Sequence, residues 1–486
     1  MSSQRGDFFY LTQLTFVASL GGFLFGFDTG VISGCTDQLT AQFALTDWGL
    51  GFVSSSAILG CILGALTAGL AADYFGRKPV LAFAAVLFSY AAFASMLPEY
   101  ALGGVPLGHD VSESTVRLLI VARFVGGVGI GISSMVCPLY LAEISPARVR
   151  GAKISYYQLA IVTGMVITYF TNALIHHYAT ARLESLTSTP LENTFFNFIF
   201  FTESWRGKFG VGLLPAFLFF ILVFFTTESP RWLCMKGKID QARRIFTRID
   251  GENMANEEIV AVEKVLSEES GTFFELFEPK FRIALIVGFF LPLLGQFSGI
   301  NAIMYYGPAI FVNAGMGIAN AFQSQVLIGI INVVCTFIAI LLVDRLGRRP
   351  LIFWGTIGLM VSLLWGGINA LCGVGSGLLI VVPFLLFVAC FAFSLGPLPW
   401  IVIAEIFPTR IRGQAMSIGI FAIWFGCFLV TQLFFTMQST FGQGYTLLIF
   451  MGLVSLTIPL VLFLIPETKG KTLEEIQEHW NRISKK

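Results

Sequence analysis

The chain has 486 residues, of which 56% are hydrophobic and 12% charged, against about 25% charged in an ordinary soluble domain. With a mean hydropathy of +0.79 it reads as an integral membrane protein. Its 30 Lys and Arg and 29 Asp and Glu leave a net charge of +1, which excludes the bulk basic field of a nucleic-acid binder.

Runs of about 20 apolar residues mark membrane spans, and twelve follow one another near 11–34, 48–72, 79–97, 116–138, 152–176, 208–226, 283–311, 322–343, 351–372, 377–403, 413–437 and 443–465. The first run is long and has no plausible signal-cleavage site, so it reads as a retained helix. An even count puts both termini on one side. With the N-terminus inside, all of the 30 Lys and Arg except Arg117, Arg123, Arg182, Arg206 and Lys208 fall in inner segments. That bias predicts a multi-pass protein of the cell membrane with both termini in the cytoplasm. Residues 98–115 and 177–207 read as polar outer loops. The inner segment 228–281 carries IDQARRIFTRI and NEEIVAVEKVL, whose apolar spacing predicts short amphipathic helices, although its high charge also fits a solvated linker.

The chain repeats itself. DYFGRKP at 73–79 recurs as DRLGRRP at 344–350, and AEISPARVRGA at 142–152 recurs as AEIFPTRIRGQA at 404–415, each after the second and fourth spans of a six-span half. The fold predicted is an all-α membrane protein of twelve transmembrane helices in two pseudo-symmetric six-helix bundles. Its parts are a bundle over 1–227, the inner helical segment 228–281, a second bundle over 282–466 and a tail over 467–486. A site is expected between the bundles near the midplane.

Two ions stand inside the apolar spans. Asp28 lies in LGGFLFGFDTGVISG, where glycines at 21, 22, 26, 30 and 34 let neighbouring helices come close. Arg123 lies in RFVGGVGIG of the fourth span. At 1.5 Å per residue both sit about 9–10 Å below the outer ends of their spans. A charge in hydrocarbon persists only with a partner or a water path, so the two are read as a pair, either a proton relay or a structural salt bridge. At the inner helix ends, Asp73, Arg77, Glu143, Arg150 and Glu228 in one half, and Asp344, Arg348, Glu405, Arg412 and Glu467 in the other, read as a charged latch or as topology-setting charge.

FGFDTGVISG, the two GRK and GRR loops, PLYLAEISPARVRG, ESPRWL, QFSGIN with MYYGP, GPLPW and PETKGKTLEEI occur in an order that spans nearly the whole chain. In this it resembles the sugar porter family of the major facilitator superfamily, with its proton-coupled xylose and hexose symporters and facilitative glucose transporters. The resemblance implies the major facilitator fold and import of a monosaccharide by alternating access with proton symport through Asp28 and Arg123. It implies a sugar site at Gln158, Gln296, Asn301, Asn332, Trp400 and Trp424, as amides and indoles suit a neutral polyol. Three positions depart from the family pattern: Tyr74 where Arg is usual, Gly295 in place of the first Gln of a QQ pair, and Ile423 before Trp424. Gly295 is expected to leave the pocket roomier on its side. The alternatives are a proton-independent facilitator, or a sugar sensor, against which the short tail argues. Walker, nucleophile-elbow and zinc signatures are absent from the sequence, and the eight cysteines have no paired spacing. The expected partners are therefore sugar, protons and the lipid bilayer, with no cofactor, metal, nucleic acid or chemistry on the substrate, and a monomer as the functional unit.

Overall fold

The computed structural model describes residues 7–100, 113–146, 149–185, 195–267, 273–373, 377–407, 411–465 and 467, and among them every regular element is a helix. Eleven helices are long and apolar enough to cross a membrane: Phe9–Gly34, Asp47–Phe75, Arg77–Met96, Ser114–Ile144, Arg150–Arg182, Ser204–Val223, Arg282–Asn313, Ile318–Leu342, Arg348–Leu371, Leu379–Ile403 and Gly413–Leu464. The last is interrupted at Gly442, whose backbone is non-helical at φ 79° and ψ 162°. Glycine alone takes that conformation without strain. The interruption divides the segment into the eleventh and twelfth spans, so twelve crossings result.

Two expected boundaries move. The fifth helix runs on to Ser185, into the stretch read as loop, and the sixth span opens at Ser204, ahead of residue 208. Its early cations are held by hydrogen bonds, Arg206 to the nearby Glu203 and both to groups distant in the chain. Arg206 donates to both carboxylate oxygens of Glu99 at 2.8 and 2.7 Å, and the Lys208 ammonium donates to the Gly34 carbonyl at 2.6 Å. Burial pushes the Glu99 carboxyl upward, but the hydrogen bonds and charge of Arg206 outweigh it and hold the group below its ordinary range.

Lipid offers helices no hydrophobic reason to associate, so close backbone approach has to hold them together. The glycines of the first span do this at a four-residue spacing. A Cβ at Gly22 would strike Tyr157, at Gly26 the Ile161 carbonyl at 1.8 Å, at Gly30 Thr168, and at Gly34 Asn172, all on the fifth span. A second seam joins the second and fourth spans, where a Cβ on Gly127 would strike the Ala57 carbonyl at 1.8 Å and one on Gly60 the Phe124 carbonyl at 2.1 Å. The same two seams fix Asp28 and Arg123.

The halves meet where the second span packs on the eleventh and the fifth on the eighth. At the outer end, Ile32–Gly34 of the first span lies against Ile300–Asn313 of the seventh. Residues 228–281 form Pro230–Met235, Ile239–Asp250 and Glu252–Ser267. Trp232, Leu233, Phe246 and Ile259 give these helices a small core of their own, and the segment docks on the first half, with the Arg248 guanidinium 3.7 Å over the Tyr10 ring. Helices make up most of the described residues of this stretch.

Gly127→Ala should destabilise the purified protein by about 1–3 kcal/mol, because an overpacked Cβ meets backbone that cannot yield. Gly452→Ala, with nothing within 4 Å of the new Cβ, should be neutral or stabilise by up to about 1 kcal/mol. Thermal unfolding in detergent checks the contrast, and equal midpoints would refute it.

Candidate functional site

The structure brings the two intramembrane ions together. Arg123 Nη1 stands 3.6 Å from Asp28 Oδ1, with the arginine side chain sealed and that of the aspartate 26% exposed. Arg123 Nε donates to the Val53 carbonyl at 3.2 Å, a contact the seam between the second and fourth spans makes possible. The guanidinium also lies 5.5 Å from the Phe209 ring centroid, yet both its Nη atoms lack a hydrogen-bond partner. The pair is an ion pair without being a hydrogen bond.

The second half contributes two broken spans to the interface. The seventh consists of Arg282–Phe297 and Ile300–Asn313, parted at Gly299 with φ 86°. A Cβ there would lie 2.5 Å from the Phe450 ring. The tenth consists of Gly377–Phe393 and Leu398–Ile406, parted by the turn Ser394–Pro397. Breaks of this kind are tolerated at membrane depth where they line a cavity. Across the first break the Asn301 amide donates to Gln296 Oε1. Gln296 also packs on Gly426 of the eleventh span, two residues from Trp424. The Trp424 ring lies 5.4 Å from that of Phe25, across the two halves. Trp400, just past the second break, and Gln158, on the fifth span, are half-buried. Asn332 is buried, its amide oxygen accepting from Thr336 at 3.5 Å.

Gly295 is buried, and a Cβ on it would meet Leu395 at ordinary contact distances of 3.6 and 3.7 Å. The position points at the turn in the tenth span, so the missing amide leaves a neighbour there rather than open space. Ile423 is half-buried, while Tyr74 is exposed and stacks edge-on with Phe75.

The inner charges form two matching clusters. In the first half Arg77 makes a bidentate pair with Glu143, both bonds 2.8 Å, and reaches Asp73 at 3.1 Å. Glu228 accepts the backbone N–H groups of Arg77 and Lys78 at 2.8 and 3.2 Å, which caps the third span. In the second half Arg348 pairs with Glu405 at 2.9 Å, and Glu467 accepts the N–H groups of Arg348 and Arg349 at 3.1 Å each. Gly76 (φ 104°) and Gly347 (φ 89°) bring each carboxylate against the backbone. An acid at a helix N-terminus satisfies donors that have no partner in the helix and meets the positive end of its dipole. These pairs join helices of one half. Arg150 turns instead to Glu258 of the inner helical segment, 3.8 Å away, and Glu258 also holds Arg231 at 3.2 Å. The side chains of Asp344 and Arg412 lie outside the described residues.

Sequence reasoning missed Phe25, Glu258 and Gln432. The last accepts from Ser55 Oγ at 2.7 Å and donates to the Trp48 carbonyl at 3.2 Å, between the halves. Phe25 had a local signal, one turn before Asp28; the others had none, because their partners are distant in the chain.

A family model described as "Sugar (and other) transporter" matches residues 14–480. The arabinose-proton symporter of Bacillus subtilis is 36% identical over 472 residues, which cover 97% of this chain and 95% of that one. The D-xylose-proton symporter of Escherichia coli is 34% identical over 496 residues, covering 98% and 97%. Among solved structures, the inward open conformation of the xylose transporter XylE from E. coli aligns with a TM-score of 0.82 at 31% identity, over 97% of this chain and 100% of that one. The complex of the proton:xylose symporter XylE with 6-bromo-6-deoxy-D-glucose aligns at 0.79 and 32%, over 97% and 99%.

Glu143→Ala leaves the nearly buried Arg77, 3% exposed, with only the exposed Asp73 carboxylate as an anion, and should cost about 3 kcal/mol of stability. Glu405→Ala, in a pair whose side chains are 12% and 28% exposed, should cost about 1 kcal/mol. Thermal unfolding of both variants checks this order, and the reverse order would refute it.

Proposed function

The chain belongs to the sugar (and other) transporter family, and from that premise we propose that it imports a monosaccharide with a proton by alternating access. The observation that carries proton coupling is the unequal exposure of the ion pair: Asp28 is 26% exposed while Arg123 is sealed. A proton reaching Asp28 removes the anion that tethers the arginine. Arg123 then relies on the Val53 carbonyl and the Phe209 ring, and the first span is released from the fourth. Loss of the proton to the other side re-forms the pair. A proton-independent carrier has no use for an acid here, where a neutral residue costs less.

The sugar is read as a guest of Gln158, Gln296, Asn301, Asn332, Trp400 and Trp424. Without sugar, Gln296 and Asn301 satisfy one another. A polyol replaces that bond with bonds of its own, so the amides are never stranded. The indoles give its C–H faces an apolar surface. Relatives named for arabinose and xylose support the monosaccharide class. The inner clusters of Arg77 and Arg348 act as the latch, holding helix ends while the halves rock. One chain supplies both halves of the cavity, which makes the monomer the working unit, and the inner-face charge bias places both termini in the cytoplasm.

Asp28→Asn in proteoliposomes should abolish accumulation of labelled sugar driven by an inward proton gradient and retain equilibrium exchange, since the amide keeps the shape and cannot titrate. Uphill uptake equal to the wild type would end the symport reading. Gln296→Ala and Asn301→Ala should each raise the apparent Kd about tenfold, the loss of roughly 1.4 kcal/mol. Unchanged affinity in both would move the sugar elsewhere.

A further inference from the structure

The outer segment of the seventh span, Ile300–Asn313, contains Pro308. Proline has no N–H, so the carbonyl four residues earlier, that of Met304, loses its helical partner. Two side chains compensate. Tyr169 Oη donates to the Met304 carbonyl at 3.0 Å, and Gln325 Nε2 donates to the same oxygen and to that of Ile303, both at 3.3 Å. Gly307 makes room for the amide, since a Cβ there would fall 1.7 Å from Gln325 Oε1.

The donors differ in where they stand. Gln325, on the eighth span, belongs to the same half as Met304, whereas Tyr169, on the fifth span, belongs to the other. The Tyr169 ring lies in a recess of the eighth span at Gly329, where a Cβ would meet it at 2.9 Å. The hydroxyl is fully enclosed, the residue being 1% exposed. Two turns further along the fifth span Phe322 of the second half stacks on His176 with ring centroids 4.6 Å apart and carries Lys208 Nζ at 5.4 Å from its own.

We infer that Tyr169 is a positioning residue for alternating access, a clasp that shuts the outer side by gripping the carbonyl Pro308 leaves free on the seventh span. This rests on the alternating-access reading. The bond forms only when Ile300–Asn313 has swung against the first half, so it stabilises the outward-closed arrangement and breaks when that side opens. Gln325 moves with Met304 and keeps its bond in either arrangement, so it contributes nothing to the balance between them.

The test is hydrogen–deuterium exchange on purified full-length protein without sugar, a readout independent of transport and of proton coupling. Tyr169→Phe keeps the ring and removes the donor. It should raise amide exchange in Ile300–Asn313 and in Thr36–Phe43, which packs on it, by roughly fivefold, the population shift for one buried hydrogen bond of about 1 kcal/mol. Exchange in inner-end helices such as Pro230–Met235 should fall. Gln325→Leu should leave this outer-to-inner balance unchanged. If Tyr169→Phe fails to fold, Pro308→Ala is read in its place. It returns an N–H that competes for the Met304 carbonyl, and it should shift exchange in the same direction. Wild-type exchange in the folded Tyr169 variant, or in its replacement, overturns the clasp. So does a Gln325→Leu shift equal to that of Tyr169→Phe, which would make both residues simple caps of a broken helix.

Discussion

The structure turns on a guanidinium sealed from water and incompletely satisfied. Arg123 has one hydrogen bond, to Val53, and an anion at 3.6 Å. The Arg77–Glu143 pair shows the alternative, with two bonds of 2.8 Å from the same chemical groups. A bidentate pair is hard to open, since removing either charge leaves the other buried alone. The looser intramembrane pair is less deeply bound, and this makes it suited to change partners. Its geometry is set from outside, by the glycine seams that fix the first span on the fifth and the second on the fourth.

Much of this was legible in the sequence because the signals are local. The length of apolar runs yields the crossings, even where Gly442 lets one helical segment serve as two. The recurrence of GRK and GRR marks the duplicated halves, and an acid and a base at matched depth in apolar helices announce each other. What was not legible depends on partners far away in the chain. The sixth span starts early because Glu99 pairs with Arg206 and the Gly34 carbonyl accepts from Lys208, and charge counting along the chain cannot see those distant partners. Gly295 looked like a vacancy until the turn of the tenth span was found beside it. Tyr169 offered no pattern; only the proline in MYYGP hinted that a carbonyl needed a donor.

The broken spans and the acid pair divide the work between the bundles. The first half holds the titratable group on a continuous helix. The second holds the two interrupted helices and their amides, at the places where freed backbone has to be met by side chains. Phe25 and Trp424 touch across this division, one turn of helix away from Asp28. In the proposed function, a guest that displaces the indole would act on the segment that carries the acid.

Glu228 and Glu467 lead to a different point. Each follows the last span of its half and caps the third span of the same half, so the end of each bundle is fastened back to its middle. Each bundle thus carries the same closing device, and the covalent join between them fixes their stoichiometry at one to one.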